Sequence, residues 1–337
     1  MTPETPHIIS ALNSFTNGTK TDAPITPILS DYMLKIFGYV NTFFLSILAG
    51  SVGIITNIVN ISVYWKMGLS GTTNISFFAL SIIDLLVSLT SVVTQLTYNS
   101  PFSGMKLTSG VPVSELGMGA LFIFYPCLGC SAWITASLSI ERCLCVCAPL
   151  KVKEILTSQK ITFILLTIVA YQSVFVFLLY VYPGPPYKIP SQRRALYFNC
   201  SFSFPSFICF FLVLVSTTVL VVRLKQNLEW RNEAAKQSNQ ISGGSKERKA
   251  ARSVVAICTI FIICFTPNIV LFVLSLGYPT FTVYDPYLGN LKNILYALSS
   301  LLQVISSSVN IIVYYRMGTK YREVFTALFR RERTKLG

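Results

Sequence analysis

Seven long apolar segments most constrain what this chain can fold into. They span residues 38–65, 75–98, 117–140, 160–182, 203–224, 252–277 and 290–315. A membrane-spanning helix needs about 20 predominantly apolar residues, and each segment reaches that length. Every backbone polar group inside a membrane must be bonded within the protein, which favours helices for segments of this length. The sequence therefore predicts an all-α membrane protein, a bundle of seven transmembrane helices.

The remaining residues form short connections and two terminal segments, so no soluble catalytic domain fits. The 337-residue chain is 53% hydrophobic and 12% charged, whereas soluble domains average about 25% charged residues. We expect an N-terminal tail over 1–35, a transmembrane domain over 36–316, and an amphipathic helix with a tail over 317–337. The last segment carries apolar residues at helical spacing with basic residues between them, a pattern typical of a helix on the inner membrane surface: Tyr321, Val324, Phe325 and Leu328.

The positive charge follows the membrane topology. If the N-terminus is outside, 20 of the 27 Lys and Arg residues lie on the inner side, as the positive-inside rule requires. The net charge of +14 therefore needs no nucleic-acid partner. We predict a multi-pass plasma-membrane protein in a lipid bilayer, with an extracellular N-terminus and glycosylation at Asn17 and Asn199.

The longest polar connection runs from Gln226 to Arg252, between the fifth and sixth segments. We expect residues 232–245 to form a solvated loop and the basic run from Lys246 to Lys249 to continue the sixth helix. No catalytic set is present: His7 is the sole histidine, which excludes a histidine-based triad. The chain is therefore predicted to have no enzymatic activity, no bound metal cluster and no organic cofactor.

A few ionisable residues lie in or beside the apolar segments, where charge is costly and usually functional. Glu141 and Arg142 end the third segment, and Asp84 is the one acid inside any segment. A buried carboxylate needs partners, so Asn57, Ser131, Ser307 and Asn310 are expected to converge on Asp84. Ser131 and Arg142 are eleven residues apart, about three helical turns, and so share one face of the third helix.

Several short motifs, in order along the chain, resemble those of rhodopsin-like (class A) G-protein-coupled receptors of the divergent invertebrate peptide or chemosensory type. The resemblance covers nearly the whole chain. The motifs are Gly53 with Asn57; Leu80-Ser81-Ile82-Ile83-Asp84; Glu141-Arg142-Cys143 followed by Pro149-Leu150; Cys264-Phe265-Thr266-Pro267; Asn310-Ile311-Ile312-Val313-Tyr314; and Tyr321-Arg322-x-x-Phe325.

The resemblance implies a receptor that converts extracellular ligand binding into activation of a heterotrimeric G protein through movement of the sixth helix. Its implied switch and coupling residues are Glu141, Arg142, Pro149, Leu150, Glu247, Asn310 and Tyr314.

The resemblance implies that Glu247 pairs with Arg142 in the resting state and so clamps the third and sixth helices together. The alternative is that Glu247 is one more solvated charge in a basic run. Phe261, Phe265 and Pro267 would form a pivot, the alternative being an ordinary aromatic core stripe. A sodium ion is implied at Asp84, and a protonated carboxyl group held by hydrogen bonds is the alternative.

The resemblance also places a ligand pocket between the outer halves of the second, third, sixth and seventh helices. Phe124 stands where amine receptors carry Asp, and Val304 stands where opsins carry the retinal Lys, which argues against both ligand classes. A peptide ligand is favoured; a chemosensory receptor for small molecules and a transporter or channel are the alternatives. The expected wall residues are Gln95, Tyr98, Phe124, Tyr125, Leu128, Phe265, Asn268, Phe272, Tyr296 and Ser300.

Three departures from the family pattern affect these expectations. Phe265 replaces a Trp, and Ile311 replaces a Pro, which is expected to remove a second helix kink. Gly117 stands where the family carries the cysteine that pairs with the one at Cys200. Cys127 lies ten residues further along, about 15 Å deeper, and is too far away to substitute. Cys200 is therefore free or pairs with another molecule.

Overall fold

The structure is a computed structural model, and part of the chain lies outside the residues it describes. The predicted residues Asn17, Tyr98, Pro149 and Leu150 fall in that part, and so does the side chain of Glu247. The described residues are 27–97, 104–106, 110, 112–148, 152, 156–181, 191–237, 245–278, 281–283 and 285–333.

Eight helices, here numbered α1 to α8, make up the described part of the chain. Three of them consist of consecutive segments: α1 of Asp31–Phe37, the π-helical Gly38–Leu45 and Ser46–Met67; α5 of Ser191–Phe198, the π-helical Asn199–Ser203 and Phe204–Gln237; and α7 of Gly289–Ser308 and Asn310–Met317. The others are α2 Thr72–Thr97, α3 Val113–Cys147, α4 Ser158–Val181, α6 Ser245–Gly277 and α8 Thr319–Arg333.

The helices α1 to α7 are long and apolar enough to cross a membrane, which confirms the seven predicted spans. The helix α6 begins at Ser245, so the basic run from Lys246 to Lys249 continues it as expected. The prediction of a loop over 232–245 is wrong for its first part, because α5 continues to Gln237. Residues 229–237 contain Glu, Arg, Ala, Lys and Gln, all good helix formers, and these extend the helix beyond its apolar span.

The bundle is closed around α3, which packs against α2, α4, α5 and α6, while α7 contacts α6, α1 and α2. Small residues allow the closest approach. A Cβ atom at Gly53 on α1 would lie 2.3 Å from Ser88 Oγ of α2 and 2.5 Å from Ser308 Oγ of α7. Small interface residues are a general means of helix association in membranes. Gly53 therefore sets the distance between α1, α2 and α7.

An interruption in α7 occurs at Val309 even though no proline is present. The replacement of proline by Ile311 therefore does not make α7 one uninterrupted helix. Two carbonyls of the last turn accept hydrogen bonds from α1 side chains: Ser307 O from Asn57 Nδ2 at 3.0 Å and Ser308 O from Thr56 Oγ1 at 3.0 Å. The Ile312 amide instead bonds the carbonyl of Val309 at 3.0 Å. Side chains of α1 thus occupy carbonyls that a continuous helix would use itself.

The first part of α5 is held to α3 without a disulfide. All nine cysteines are free, including Cys200, as its missing partner position predicts. The Tyr197 hydroxyl donates to the Phe122 carbonyl of α3, and their rings meet edge to face at 5.2 Å. Tyr125 of α3 packs edge to face on Phe198 at 4.7 Å. Aromatic contacts therefore anchor the segment that a disulfide normally ties down.

Candidate functional site

The Asp84 carboxylate is bonded to both α3 and α7 in the centre of the bundle. Ser131 Oγ donates to Oδ1 at 2.9 Å, and Asn310 Nδ2 donates to Oδ2 at 2.8 Å. The Ser307 hydroxyl also lies near the carboxylate, and Asp84 is 1% exposed. The structure thus brings together Asp84, Ser131, Ser307 and Asn310. The carboxylate and hydroxyl oxygens of this group are of the kind that bind a small hard cation. Elsewhere, the described residues contain no cluster of three or more His, Cys, Asp or Glu side chains that could hold a metal ion.

Asn57 joins this group through the backbone of α7 and not through the carboxylate, contrary to the expected convergence. Its Nδ2 donates to the carbonyls of Gly53 at 2.9 Å and Ser307 at 3.0 Å. Its Oδ1 accepts from Asn60 Nδ2 at 3.3 Å. Asn57 is placed one helical turn from Gly53, so its amide reaches across the close contact between α1 and α7.

The chain of hydrogen bonds continues into α8. Asn60 Oδ1 accepts a bond of 2.6 Å from the Tyr321 hydroxyl. Burial raises the pKa of this phenol, so the hydroxyl stays protonated and donates. Tyr321 also packs in an aromatic cluster with Tyr64, Phe77 and Tyr314, whose ring centroids lie 4.9–5.8 Å apart. The amphipathic α8 is therefore joined to the bundle by its first turn, while Val324, Phe325 and Leu328 are half-buried along the same face.

Glu141 and Arg142 lie buried at the last turns of α3, in what we call the Arg142 end of the bundle. Arg142 Nη2 donates to Glu141 Oε1 and to Thr73 Oγ1 of α2. Thr72 Oγ1 donates to the same Glu141 oxygen. The start of α2 therefore holds the pair, an anchor that the sequence reading missed because two threonines carry no charge signal. The helix backbone of α6 includes Glu247, whose clamp on Arg142 stays a prediction.

A cluster of hydroxyl groups at the same depth was also not predicted. Ser139 Oγ on α3 lies 2.6 Å from Ser216 Oγ and 3.1 Å from Thr217 Oγ1 on α5. The Cys258 thiol of α6 lies near both Ser139 and Thr217. Hydroxyl groups on facing apolar helices satisfy one another in a medium without water. This cluster connects α3, α5 and α6 near the Arg142 end.

The aromatic residues of the predicted pivot lie in the core of α6. Phe261 and Phe265 stack with ring centroids 4.1 Å apart and an interplanar angle of 25°. Pro267 lies within the helix, where a proline removes one backbone hydrogen bond. Phe265 is buried, as is Leu128 on α3, and neither predicted wall residue lines the two outer cavities described below.

The opposite end of the bundle, which we call the Lys292 end, contains two cavities that meet at Tyr296. The larger has a volume of about 300 Å³ and includes Gln95, Phe124, Tyr125 and Ser300 among its walls. The smaller has a volume of about 200 Å³ and is lined by the predicted wall residues Asn268, Phe272 and Tyr296, together with Phe198, Asn199, Ser203, Ser275, Leu276 and Lys292. Glycosylation at Asn199 stays a prediction.

The sequence reading missed two parts of these walls. Leu34, Phe37 and Gly38 of α1 close one side of the larger cavity, although the pocket was expected between α2, α3, α6 and α7. Lys292 of α7 lines the smaller cavity, whereas the sequence analysis counted this lysine only among the basic residues on the outer side of the membrane. Its place in the sequence could have indicated this role, because Lys292 is a cation one helical turn before the predicted wall residue Tyr296.

Comparison with known proteins agrees with this architecture. The family described as "7 transmembrane receptor (rhodopsin family)" matches residues 56–314, well over half of the chain. The chain is also 21% identical over 316 residues to the FMRFamide receptor of Drosophila melanogaster, a match that covers 85% of this chain and 53% of that protein. The chain thus spans about half the length of this curated relative. The match over residues 56–314 establishes that the chain belongs to the rhodopsin family of seven-transmembrane receptors.

Proposed function

We propose that the chain is a plasma-membrane receptor that binds an extracellular peptide at the Lys292 end and activates a heterotrimeric G protein at the Arg142 end. The observation that carries the proposal is the set of buried polar contacts that extends from Asp84, in the centre of the bundle, to α8. One set joins Ser131, Asp84 and Asn310, and a second set leads from the Ser307 carbonyl through Asn57 and Asn60 to Tyr321. The two sets meet on the turn of α7 that carries Ser307 and Asn310. The basic residues concentrated at the Arg142 end support a cytoplasmic location for it.

The peptide ligand is supported by two independent features. The chain is similar to a protein named as an FMRFamide receptor. The two cavities that meet at Tyr296 also mix aromatic walls with amide and hydroxyl groups, which suits a ligand with both side chains and a polar backbone.

Activation in this proposal moves α6 relative to α3. Ligand contacts with Asn268 and Phe272 would shift α6 about the Phe261–Phe265 stack and Pro267. A shift in population needs a ligand that binds the two states unequally, and the cavity walls on α6 provide that difference. At the other end, Arg142 would leave Thr73 and Glu141, and any pairing with Glu247 would break. A buried charge pair that is separated needs new partners, which the G protein would supply.

We further propose that a sodium ion at Asp84 favours the resting state when it is bound. Asp84, Ser131 and Ser307 supply one carboxylate and two hydroxyl oxygens, a set with the single negative charge that matches a monovalent cation. Agonist affinity should then fall as sodium replaces a large organic cation at constant ionic strength. The sodium dependence should disappear in Asp84→Ala. If the agonist affinity of the wild type does not change with sodium concentration, no sodium ion acts at Asp84.

The function can be tested by expressing the chain with a promiscuous Gα subunit and measuring intracellular calcium. A panel of synthetic neuropeptides and a panel of small odorants are applied to the wild type and to Arg142→Ala at matched surface expression. We expect a peptide response that is lost in Arg142→Ala. A response to odorants alone would support a chemosensory receptor instead. Ligand-driven currents in cells that lack G proteins would support a channel.

A further inference from the structure

Lys292 is a buried cation in the first turn of the long segment of α7. The residue is 6% exposed, which is rare for lysine unless a partner compensates its charge. Two other described lysines at the Lys292 end, Lys35 and Lys106, are exposed to solvent. The burial of Lys292 therefore does not follow from its position near the membrane surface.

The partners of the ammonium group are all neutral. Nζ donates to Ser275 Oγ at 2.9 Å and to the Phe281 carbonyl. It also lies 4.5 Å from the centre of the Phe281 ring and 5.7 Å from that of Tyr296. Within the described ranges the ion pair is Arg142 with Glu141, and no described carboxylate is within ion-pairing distance of Nζ. Hydrogen bonds and ring faces offset part of the cost of burying a cation, but they leave its charge unneutralised.

The cavity beside this group has the chemistry of an anion site. It has a volume of about 200 Å³, and among the described residues of its walls Lys292 is the one that carries a charge. Asn199, Asn268 and Ser275 add amide and hydroxyl groups, and Phe272 and Tyr296 add apolar surface. A carboxylate attached to a small apolar group therefore finds a counter-charge, hydrogen-bond donors and an apolar wall within one cavity.

We propose that this cavity binds a carboxylate of the receptor's ligand, with Lys292 as its charge partner. The inference rests on the proposed function, because it specifies one chemical group of the peptide. It adds that a ligand with a free C-terminal carboxylate or an acidic side chain is preferred over its neutral amide counterpart. The larger cavity, whose described walls carry no charged residue, would receive the neutral part of the same ligand.

The site can be tested on the full-length purified receptor without a G protein. The thermal unfolding midpoint is measured with N-acetyl-phenylalanine and, separately, with N-acetyl-phenylalaninamide, each on the order of 10 mM at one ionic strength. The two probes differ only in carboxylate against amide. For a millimolar affinity we expect the carboxylate to raise the wild-type midpoint by about 2 °C more than the amide does.

Matched variants assign this difference to one residue. It should disappear in Lys292→Met and remain in Lys292→Arg, which keeps the charge, and in Lys35→Met, which removes an exposed lysine at the same end. Lys292→Gln serves as a second neutral variant if Lys292→Met does not fold. Equal wild-type midpoints with the two probes, or a carboxylate effect that survives in both neutral variants, would overturn the proposal.

The outcomes also separate this proposal from the proposed function. A carboxylate effect at Lys292 without any peptide-driven G-protein response would leave the anion site standing and remove the peptide-receptor function. Conversely, an equal response to acidic and amidated peptides, without a difference in unfolding midpoint between the two probes, would support the peptide-receptor function and exclude the anion site.

Discussion

The Arg142 end and the Lys292 end of the bundle satisfy their buried polar groups in different ways. From Asp84 toward the Arg142 end, side chains of α1, α2, α3, α7 and α8 bond one another. Toward the Lys292 end, polar groups line cavities, and the ammonium of Lys292 has only neutral partners in the described part of the chain. We call the first region self-complementary, because most of its described polar side chains bond one another; the exceptions include Glu141 Oε2, Arg142 Nε and Tyr314 Oη, which are buried without a partner. The polar groups of the second region instead face cavities. This division suits a receptor whose switch is internal and whose signal arrives from outside.

The largest expected effect compares one polar side chain from each region. Asn57→Ala removes three hydrogen bonds and leaves the Ser307 carbonyl without its partner. At about 1 kcal/mol per bond, we expect a loss of about 3 kcal/mol in stability. Thr94→Val removes a cavity-lining hydroxyl that has no partner among the described residues. Its cost should be below about 0.5 kcal/mol, because nothing bonded is lost.

The measurement can use the protein's own cysteines. Cys127, Cys130, Cys209, Cys258 and Cys264 are buried, so a thiol-reactive dye reports unfolding of the purified receptor during heating. The wild type and both variants are compared in one detergent. Equal midpoints for Asn57→Ala and Thr94→Val would break the distinction between the two regions.

The second effect tests how closely the self-complementary region is packed. In Gly53→Ala the new methyl group would meet Ser88 Oγ at 2.3 Å and Ser308 Oγ at 2.5 Å, so α1 must move away. We expect a loss of about 2 kcal/mol, within the usual cost of overpacking. Gly119→Ala on α3 is the control, because no atom lies within 4 Å of its added Cβ; it should be neutral or stabilising, since alanine is the better helix former. A Gly53→Ala variant as stable as the control would contradict the close contact.

The sequence reading was most accurate where local pattern decides the structure. Apolar length predicted seven spans, and helical spacing predicted the half-buried face of α8 around Tyr321. It failed where long-range contacts decide. The helix α7 is interrupted without a proline, at the turn whose carbonyls accept hydrogen bonds from Thr56 and Asn57, and no local feature of α7 predicts these contacts. The burial of Lys292 likewise depends on Ser275 and Phe281, which lie on other parts of the chain.

The third effect concerns what restrains Arg142 at rest. Thr73→Val removes a neutral partner of the guanidinium group. A hydrogen bond to a charged group contributes roughly 1.5 kcal/mol, so we expect basal signalling to rise about tenfold. Basal G-protein activity is measured at matched surface expression. Thr90→Val is the control on the same helix, since Thr90 bonds only carbonyls of its own helix. A rise in Glu247→Gln without any rise in Thr73→Val would place the restraint on α6 instead of α2.

The smallest effect tests the last link of the self-complementary region. Tyr321→Phe keeps the ring within the aromatic cluster but removes its hydrogen bond to Asn60. We expect a loss of about 1 kcal/mol, measured as the thermal midpoint with the thiol-reactive dye. Tyr315→Phe is the control, because Tyr315 is 38% exposed and contacts Phe325 through its ring. If Tyr321→Phe unfolds like the control, ring packing alone holds α8 on the bundle, and the polar chain ends at Asn60.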